Sequence, residues 1–558
     1  MDFKKEILKL LRKHIKEDLQ LETPPDLNFG DYALPCFSIA RKLKKSPNDA
    51  AKQILSKLKK PMFLEDIKVL GPYLNFYVKK ELFAKQVISD VLKKKKKYGN
   101  SSIGNGKTVI IDMSSPNIAK PFGIGHLRST VIGNSVAKTL SFLGYKVITI
   151  NYLGDWGTQF GKMMVAYKKW GSQIRLKKDP IAHLYDLYVR FHQEAEKNKK
   201  LEDNAREWFR KLEGGEKEAI DLWKTFKGHS LNKFNEIYKR LEIRFSLVQG
   251  ESYYNDKMDK ILILMKDKGI LKESEGALIV DLESFNLPVA LIQKADGANL
   301  YLTRDLAAAI DRKNRYKPAF LLYEVGSEQK LHFDQLKAIL KLLGFKWADD
   351  ILHIYHGLYK FPEGKISTRK GNIIFIEDIL DKSVSLVKSI IKKKNPKLAK
   401  KEKVAEIIGT SAVIFNDLIN DRVRDIDFDW NKILDFEGET GPYVQYAHVR
   451  ICSILKKAGI KPKNPDYGLL KENEEKELIQ KISKFNDAVA DSARQYKPHI
   501  IAKYVVDLAQ SFNRFYQTCQ CISKDKNLTE ARIALLMAVK QVIENSMDLL
   551  GIKVLEEM

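Results

Sequence analysis

A short apolar segment and an amphipathic one are joined by Ser114-Ser-Pro-Asn-Ile-Ala-Lys-Pro-Phe-Gly-Ile-Gly-His-Leu-Arg-Ser129. The segment before it, Lys107-Thr-Val-Ile-Ile-Asp-Met113, predicts a buried strand, and Tyr145-Lys-Val-Ile-Thr-Ile-Asn151 predicts the next one. Between them, apolar residues recur at helical spacing from Leu127 to Leu143. Strand, helix and strand form one βαβ unit, whose helix N-terminus attracts phosphate through unpaired N–H groups and the positive end of its dipole. The sequence therefore predicts a nucleotide site in this loop.

The Gly-x-Gly in this loop differs from the common phosphate-binding fingerprints. It lacks the third glycine of the dinucleotide pattern and the Gly-Lys-Ser/Thr of a Walker loop. Gly123-Ile-Gly-His126 resembles instead the "HIGH" signature of class I aminoacyl-tRNA synthetases, and Ser114-Ser-Pro-Asn-Ile-Ala-Lys-Pro121 is similar to the same region of the arginyl-tRNA synthetase family. An ordinary βα turn is the alternative. The resemblance implies a Rossmann-like α/β domain that activates arginine with ATP and transfers it to the 3′-terminal adenosine of its tRNA.

A second signature of the class follows in the expected order. Gly364-Lys-Ile-Ser-Thr-Arg-Lys-Gly-Asn372 resembles the "KMSK" loop, although Thr368 stands where the second lysine is expected. Many arginyl enzymes lack that lysine, and the resemblance gives its role to Lys120. Taken alone, so short a pattern also fits a surface loop. The resemblance assigns catalysis to Lys120, His126, Lys365 and Ser367, and ATP contacts to Gly123, Gly125, His126, Lys365 and Lys370. It implies that ATP binds with Mg²⁺, without a dedicated metal site of protein ligands.

Selection of arginine over lysine requires oxygen acceptors laid out for a planar guanidinium with five donors. The resemblance implies that the substrate is surrounded by Asp112, Asn117, Tyr301, Asp305 and Gln329. Asp112 closes the first predicted strand, and Tyr301 and Asp305 open a predicted helix. For each of them, taken singly, the alternative is a helix cap or a solvated polar group.

A glycine-rich motif, Tyr152-Leu-Gly-Asp-Trp-Gly-Thr-Gln-Phe-Gly161, follows the second predicted strand and is also typical of the arginyl family. Its glycines allow close approach of the backbone to a ligand. Asp155 and Gln159 are candidates for ligand contacts or for contacts between motifs, and a purely structural turn is the alternative.

One position departs from the family pattern. The first histidine of the signature, which in the family helps to stabilise the ATP phosphates in the transition state, is Gly123 here. Loss of one donor to a charged acceptor costs about 1.5–3 kcal/mol, or roughly 10- to 100-fold in rate. This departure keeps open a catalytically weakened, tRNA-binding paralogue. A synthetase or ligase for another amino acid is a further alternative, but a non-basic substrate would leave Asp112 and Asp305 without a cationic partner.

Aromatic residues in two regions are candidates for RNA contact, because unpaired bases commonly stack on aromatic rings. Residues 436–450 resemble part of the family's helical anticodon-binding domain, and residues 70–77 resemble the segment that contacts the D-loop of the tRNA. A packed helix and a simple strand are the alternatives. The resemblance implies tRNA contacts by Tyr73, Asn75, Tyr443, Tyr446 and Met558.

The length of 558 residues is sufficient for about three domains. Lysine-rich segments at 93–97 and 392–403, with Gly, Asn or Pro nearby, indicate connections. They divide the chain into an N-terminal α+β module (1–103), a central α/β region (104–391) and an almost entirely helical C-terminal region (392–558). The resemblance implies that these are the D-loop-recognition module, the Rossmann-like catalytic domain and the all-α anticodon-binding domain. A long charged, helix-patterned stretch near 165–245 predicts a helical insertion that joins the two halves of the nucleotide-binding fold.

Charge and cysteine content limit the classes of protein. Lys and Arg number 97 against 71 Asp and Glu, and the net charge of +26 fits a polyanionic partner such as tRNA, although a lysine-rich composition gives the same excess. Four cysteines are too few and too poorly spaced for a disulfide scaffold or a four-ligand zinc site. No apolar run approaches the ~20 residues of a membrane span. We therefore expect a cytoplasmic monomer that contacts no membrane.

Overall fold

A computed structural model of the chain describes residues 3–24, 26–118, 120–295, 300–360, 375–433, 435 and 438–558. The second signature, with Lys365, Ser367 and Lys370, lies outside the described residues. All the other predicted site residues fall within them.

The N-terminal module is an antiparallel sheet with helices packed on it. Its strands are β1 (Tyr32–Pro35), β2 (Leu64–Leu70) and β3 (Tyr73–Val78), and its helices are α1 (Phe3–Arg12), α2 (Phe37–Leu43), α3 (Pro47–Leu55) and α4 (Lys80–Lys94). The strand order is β1-β3-β2. Phe3, Ile7 and Leu11 recur every four residues, share one face of α1 and are buried. This module confirms the predicted α+β fold.

A five-stranded parallel sheet forms the centre of the chain. The strands of this part are β4 (Thr108–Asp112), β5 (Lys146–Leu153), β6 (Leu247–Gly250), β7 (Leu271–Ser274), β8 (Ala277–Val280), β9 (Ala290–Gln293), β10 (Phe320–Tyr323), β11 (Ile351–His353) and β12 (Tyr359–Lys360). The sheet order is β11-β10-β4-β5-β6, and all neighbouring pairs are parallel. Helix α5 (Ile124–Phe142) connects β4 to β5. The strand order reverses between β4 and β10, and ligands of such sheets bind at the carboxyl ends of the strands at this point.

Five helices lie between β5 and β6 and confirm the predicted helical insertion. They are α6 (Thr158–Trp170), α7 (Gln173–Lys178), α8 (Pro180–Lys197), α9 (Lys200–Glu213) and α10 (Lys217–Arg240). The prediction that this insertion joins the two halves of the sheet is wrong. Strands β4, β5 and β6 lie on one side of the reversal, and the chain crosses to β10 only through residues 251–319. The four-residue strand β6 has too weak a pattern to be recognised from sequence.

The crossing segment contains α11 (Met258–Asp267), the small antiparallel sheet β7-β8-β9 and α12 (Tyr301–Tyr316), and α13 (Lys330–Leu342) follows β10. The first turn of α12 lies beside the carboxyl edge of the sheet, since Arg304 Nη1 pairs with Glu251, the residue after β6, at 3.2 Å. This segment therefore brings the predicted arginine-binding residues to the sheet.

The C-terminal region is almost entirely helical. Its elements are α14 (Ile376–Lys394), α15 (Lys401–Leu418), β13 (Ile426–Asp427), α16 (Trp430–Ile433), α17 (Gly441–Ala458), α18 (Asn473–Ser483), α19 (Phe485–Gln495), α20 (His499–Thr518) and α21 (Lys526–Leu549). The Asn545 amide of α21 donates to the carbonyls of Lys95 and Tyr98, and the Leu549 carbonyl accepts from Ser135 of α5. Helix α21 thus packs on both the N-terminal connection and the catalytic domain. No helix in the described ranges is long and apolar enough to cross a membrane.

One predicted domain boundary falls between secondary-structure elements, and the other falls inside a helix. The boundary at 103/104 falls between α4 and β4, whereas the one at 391/392 falls inside the last turn of α14. Helices α14 and α15 pack closely, since the Gly409 carbonyl of α15 accepts from Ser383 of α14 and a Cβ on Gly409 would lie 2.8 Å from the Val384 nitrogen. These two helices form one structural unit.

Candidate active site

The loop between β4 and α5 begins with a strained turn. Ser114 and Ser115 have φ angles of +75° and +48°, which side chains of L-residues rarely allow. Ser129 Oγ accepts from the Ser114 N–H at 2.7 Å, and the Ser114 and Tyr238 hydroxyls are 2.7 Å apart. Because Ser129 belongs to α5 and Tyr238 to α10, the signature helix and the insertion together fix this loop.

His126 lies in the first turn of α5 as a neutral imidazole. Its Nδ1 accepts from the backbone N–H of Gly123 at 3.2 Å, which assigns the ring proton to Nε2. Burial, reinforced by the positive charge of Lys120, lowers the pKa of His126 to about 4. The helix start therefore presents an imidazole N–H donor beside the first backbone N–H groups of α5, an arrangement suited to phosphate oxygens.

Gly123, Gly125 and Lys120 lie at or next to this helix start, and Lys365 and Lys370 fall outside the described residues. Gly123 has φ −82° and ψ 164°, an extended conformation that any residue adopts. Among the described residues, apart from chain neighbours, no side chain and no distant backbone atom lies within 4 Å of a Cβ placed on Gly125, which leaves space for a ligand near the backbone. Lys120 Nζ lies 5.1 Å from the centroid of the Tyr188 ring of α8. In the described part of the chain, no group of three or more His, Cys, Asp or Glu side chains is arranged to hold a metal ion.

Asp112, at the end of β4, is buried and paired with a side chain of the protein itself. Its carboxylate accepts from Arg312 Nη1 at 2.7 Å and from the Ser115 hydroxyl at 2.9 Å. Burial lowers the pKa of Arg312, but the negative charge of Asp112 opposes this effect, and on balance the pKa of Arg312 is raised. Within the part of the chain that the structure describes, the buried Arg312 Nε and Nη2 have no hydrogen-bond partner of good geometry. A contact between Asp112 and bound arginine, as the sequence predicts, therefore requires Arg312 to share this carboxylate or to move.

Asp305 and Glu251 are two acidic groups that face the same crevice. Asp305 Oδ2 lies 2.7 Å from His332 Nε2, and Glu251 pairs with Arg304 Nη1 at 3.2 Å. Burial raises the pKa of Glu251 to about 8; the Arg304 charge opposes this shift, and the negative charges of Asp305 and Asp155 add to it. A cation placed between the two acidic groups would relieve this repulsion.

Glu251 was not among the residues predicted from the sequence. It directly follows β6 at the carboxyl edge of the parallel sheet, where the ligands of such sheets bind. The sequence offers little signal for it, since the strand that ends immediately before it, Leu247-Val-Gln-Gly250, has only two strongly apolar residues.

Asp155 fixes the position of the chain next to Glu251. The Asp155 side chain is fully buried and accepts from the Ser252 N–H at 2.8 Å, the Ser252 hydroxyl at 2.7 Å and Lys227 Nζ at 2.6 Å. Lys227 belongs to the insertion helix α10. Of the two roles considered for Asp155, the structure therefore supports a contact between motifs.

Asn117, Tyr301 and Gln329 occupy different surroundings. A Cβ on Gly154 would lie 2.3 Å from Asn117 Oδ1, so only glycine allows the glycine-rich motif this close to the signature loop. Tyr301 is 55% exposed, but its hydroxyl turns inward and lies 3.8 Å from the position of a Cβ on Gly157. Gln329 is exposed immediately before α13.

Tyr188 of the insertion links the two halves of the crevice. Burial of the Tyr301 hydroxyl, followed by the charge of Glu251 and with a contribution from Tyr188, raises the pKa of Tyr301. The same Tyr188 ring lies beneath Lys120. Tyr188 is thus close to a candidate phosphate-binding residue and to a candidate arginine-binding residue.

Tyr443 and Tyr446 belong to one hydrogen-bonded network on α17. Asn513 Nδ2 donates to the Tyr443 hydroxyl at 2.7 Å, and Arg450 Nη1 donates to Asn513 Oδ1 at 3.3 Å. The Arg450 guanidinium lies 4.8 Å from the ring centroids of both Tyr446 and Tyr516, which are 44% and 43% exposed. Two exposed rings beside a cation form a surface suited to unpaired bases.

The other predicted tRNA contacts are less accessible. Met558 packs against the apolar cluster of α14 and α15, and its carbonyl accepts from Asn395 Nδ2 at 3.2 Å. Asn75 in β3 is only 3% exposed, whereas Tyr73 is partly exposed and packs edge-on against Phe37 at 5.8 Å. As the module stands, Tyr73 is open to an RNA partner and the Asn75 side chain is not.

A parallel sheet with a signature loop at its strand reversal, followed by a helical C-terminal region, defines a class I aminoacyl-tRNA synthetase. The family model described as "tRNA synthetases class I (R), catalytic domain" matches residues 87–430. The models for the arginyl tRNA synthetase N terminal domain and the DALR anticodon binding domain match residues 2–78 and 444–558. The chain belongs to the arginyl-tRNA synthetase family.

Relatives support this assignment over the whole length. The chain is 49% identical to the arginine–tRNA ligase of Enterococcus faecalis and 46% identical to that of Halothermothrix orenii, with 100% of each chain covered in both comparisons. The arginyl-tRNA synthetase structure from Thermus thermophilus superposes with a TM-score of 0.86 at 25% identity and covers 100% of this chain and 99% of its own. These findings confirm the predicted fold class, family and enzyme class.

Proposed function

We propose that the chain activates arginine with ATP at the crevice between α5 and α12 and then esterifies the 3′-terminal adenosine of its tRNA. The observation that carries this assignment is the position of Tyr188, whose ring centroid lies 5.1 Å from Lys120 Nζ and whose hydroxyl is close enough to Tyr301 to contribute to the raised pKa of Tyr301. This position supports a single site for the phosphates of ATP and for the cationic substrate. ATP enters as its magnesium complex, which is substrate rather than a resident cofactor.

The chemistry requires an in-line attack of the arginine carboxylate on the α-phosphorus of ATP, with pyrophosphate as the leaving group. The Nε2 proton of His126 and the ammonium of Lys120 are placed to donate to phosphate oxygens as negative charge develops. We assign Lys365, Ser367 and Lys370 of the second signature to the same task, on the resemblance of that segment.

Substrate selection rests on the two acidic groups of the crevice. Glu251 and Asp305 provide oxygen acceptors for the guanidinium or the α-ammonium of arginine, and Tyr301, Asn117 and Gln329 add neutral hydrogen-bonding groups. Asp112 joins this set if its carboxylate accepts hydrogen bonds from bound arginine and from Arg312 together. For the tRNA, we assign the exposed ring pair Tyr446 and Tyr516, together with Tyr443, to the anticodon loop. Tyr73 is assigned to the D-loop.

Aminoacylation of tRNA with labelled arginine tests this function. We expect esterification of the 3′-terminal adenosine, initially on the 2′-hydroxyl, with arginine and not with lysine. A chain that bound tRNA without charging it would instead be the weakened paralogue, which no comparison favours. We further propose that the enzyme works as a cytoplasmic monomer, with residues 1–103, 104–391 and 392–558 as its D-loop, catalytic and anticodon modules.

The KM for arginine should depend on pH through Glu251. Because burial raises the pKa of Glu251 to about 8, this residue is mostly protonated at neutral pH, and a bound cation favours the ionised form. Arginine binding should therefore release a proton, and KM should fall by up to about tenfold per pH unit between about pH 6 and about pH 8. Glu251→Gln should flatten this profile. Proton uptake on binding, measured by calorimetry in two buffers, would contradict the assignment.

Gly123→His should accelerate adenylate formation, because it restores a donor to the phosphates of the transition state. The extended conformation of Gly123 accepts a side chain without backbone strain, and Phe122 is buried against Phe234 and Tyr238. We expect kcat for pyrophosphate exchange to rise by up to roughly tenfold with little change in the arginine KM. Gly123→Ala is the matched control, since it adds bulk without a donor. Equal rates for both variants would mean that the loop has adapted to glycine.

A further inference from the structure

Arg128, in the second turn of the signature helix α5, is a buried charge that the reaction does not use. It is 1% exposed. Its Nη1 donates to the main-chain carbonyls of Gly357 and Arg424 at 2.8 Å each, and its Nη2 donates to the Arg422 carbonyl at 3.4 Å. One side chain thus binds two separate stretches of backbone, one before β12 and one between α15 and β13.

Asp417 of α15 neutralises this charge. Its Oδ2 lies 3.2 Å from Arg128 Nε and accepts from the Tyr359 hydroxyl at 2.7 Å. The Asp417 side chain is fully buried, and the Arg128 guanidinium carbon lies 5.7 Å from the Tyr359 ring centroid. Tyr359 is the first residue of β12 and is separated from residues 361–374, which carry the second signature, only by Lys360.

A buried ion pair is a weak source of stability, since desolvation of the two charges offsets most of their attraction. Its distinctive property is geometric. The planar guanidinium directs its donors in a fixed fork, whereas a lysine ammonium keeps the charge but cannot hold several acceptors in the same arrangement. The three carbonyls and the Asp417 carboxylate are therefore held at defined positions relative to α5.

Helix α15 also contacts the candidate tRNA-binding helix. Gln445 Nε2 of α17 donates to Ser411 Oγ of α15 at 3.0 Å. Asp417 lies further along the same helix α15. Arg128 thus contacts the helix on which α17 is packed, and it lies two residues after His126.

We propose that Arg128 is a positioning residue for adenylate formation, which holds the first turn of α5 in place relative to β12 and α15. The proposal rests on the proposed function, since it assigns to Arg128 the alignment of His126 with the strand that leads into the second signature. Arg128 itself touches no substrate. A misplacement of about 1 Å at a reacting centre costs on the order of 100-fold in rate. Loss of the Arg128 guanidinium should therefore lower kcat more than it changes substrate binding.

The test compares steady-state pyrophosphate exchange, with arginine and tRNA present, for the wild type, Arg128→Lys and Tyr359→Phe. We expect Arg128→Lys to lower kcat by about 10- to 100-fold, with the KM values for ATP and arginine changed less than about threefold. Tyr359→Phe removes one hydroxyl from the network and leaves the ion pair intact, and it should lower kcat several-fold with both KM values unchanged.

Arg532→Lys is the matched control, because Arg532 is also buried, pairs with Glu475 at 2.7 Å and lies in the C-terminal helices. We expect Arg532→Lys to lose as much thermal stability as Arg128→Lys but to keep a kcat near that of the wild type. Unchanged kcat in folded Arg128→Lys, or an equal loss of kcat in Arg532→Lys, would overturn the proposal. If Arg128→Lys does not fold, the kcat of Tyr359→Phe tests the proposal, and a wild-type kcat for that variant would overturn it. A wild-type chain without any exchange would reject the proposed function instead.

Discussion

Asp305→Asn should raise the KM for arginine by about 10- to 100-fold and leave the KM for ATP nearly unchanged. The substitution keeps an oxygen near His332 Nε2, now 2.7 Å from Asp305 Oδ2, but removes one negative charge facing the guanidinium. A hydrogen bond to a charged group contributes about 1.5–3 kcal/mol, which sets the expected range. Initial rates of pyrophosphate exchange at varied arginine and at varied ATP measure both constants.

Asp311→Asn is the control for this prediction. Asp311 lies on the same helix α12 and pairs with Arg315 at 3.2 Å, so its loss tests the helix without touching the crevice. We expect both KM values to stay near those of the wild type. If Asp305→Asn raised the two KM values equally, Asp305 would have a structural role and the substrate assignment would fail.

Lys120→Ala should lower kcat of adenylate formation by about 10²- to 10³-fold. Lys120 is close enough to His126 to lower the pKa of that residue, and the second signature has Thr368 where a further lysine is expected. Because the phosphate charge that Lys120 meets grows in the transition state, the KM for ATP should change much less than kcat. Single-turnover formation of adenylate in the presence of tRNA gives the rate directly.

Lys162→Ala is the matched control, since Lys162 also lies over an aromatic ring of α8, 5.6 Å from the Phe191 centroid, and pairs with Glu202 at 2.7 Å. It should leave kcat near the wild-type value. A wild-type kcat for Lys120→Ala would remove Lys120 from the catalytic set.

Local periodicity explains which parts of the fold were predictable. The strand predicted at 107–113 and the helix that follows it correspond to β4 and α5, because several apolar residues repeat there with one period. The prediction of a strand at 145–151 agrees with β5 within two residues at its C-terminal end. By contrast, β6 has only four residues, and its absence from the prediction placed the insertion wrongly relative to the sheet.

The candidate site could be predicted from the sequence only where its residues are close together in the chain. The signature loop supplied Lys120 and His126, since their chemistry depends on residues adjacent in the chain. The pairing of Asp112 with Arg312 joins residues 200 positions apart, and only the tertiary structure reveals that this carboxylate is occupied. Glu251 likewise becomes a candidate only when β6 is placed in the sheet.

The tRNA-binding predictions divide in the same way. Tyr446 and Arg450 are one helical turn apart and were close in sequence, whereas Tyr516 joins them from another helix. Asn75 resembles an RNA contact in its motif, but β3 is the central strand of its sheet and buries the residue. A central strand covered on both faces gives no alternation that would separate buried from exposed polar positions.

Pyrophosphate exchange with each of the proteinogenic amino acids, with and without tRNA, tests the central claim most directly. We predict exchange with arginine and with no other amino acid and, as the resemblance to the arginyl family implies, only when its tRNA is bound. Vigorous exchange with free arginine in the absence of RNA, or with another amino acid, would contradict this account.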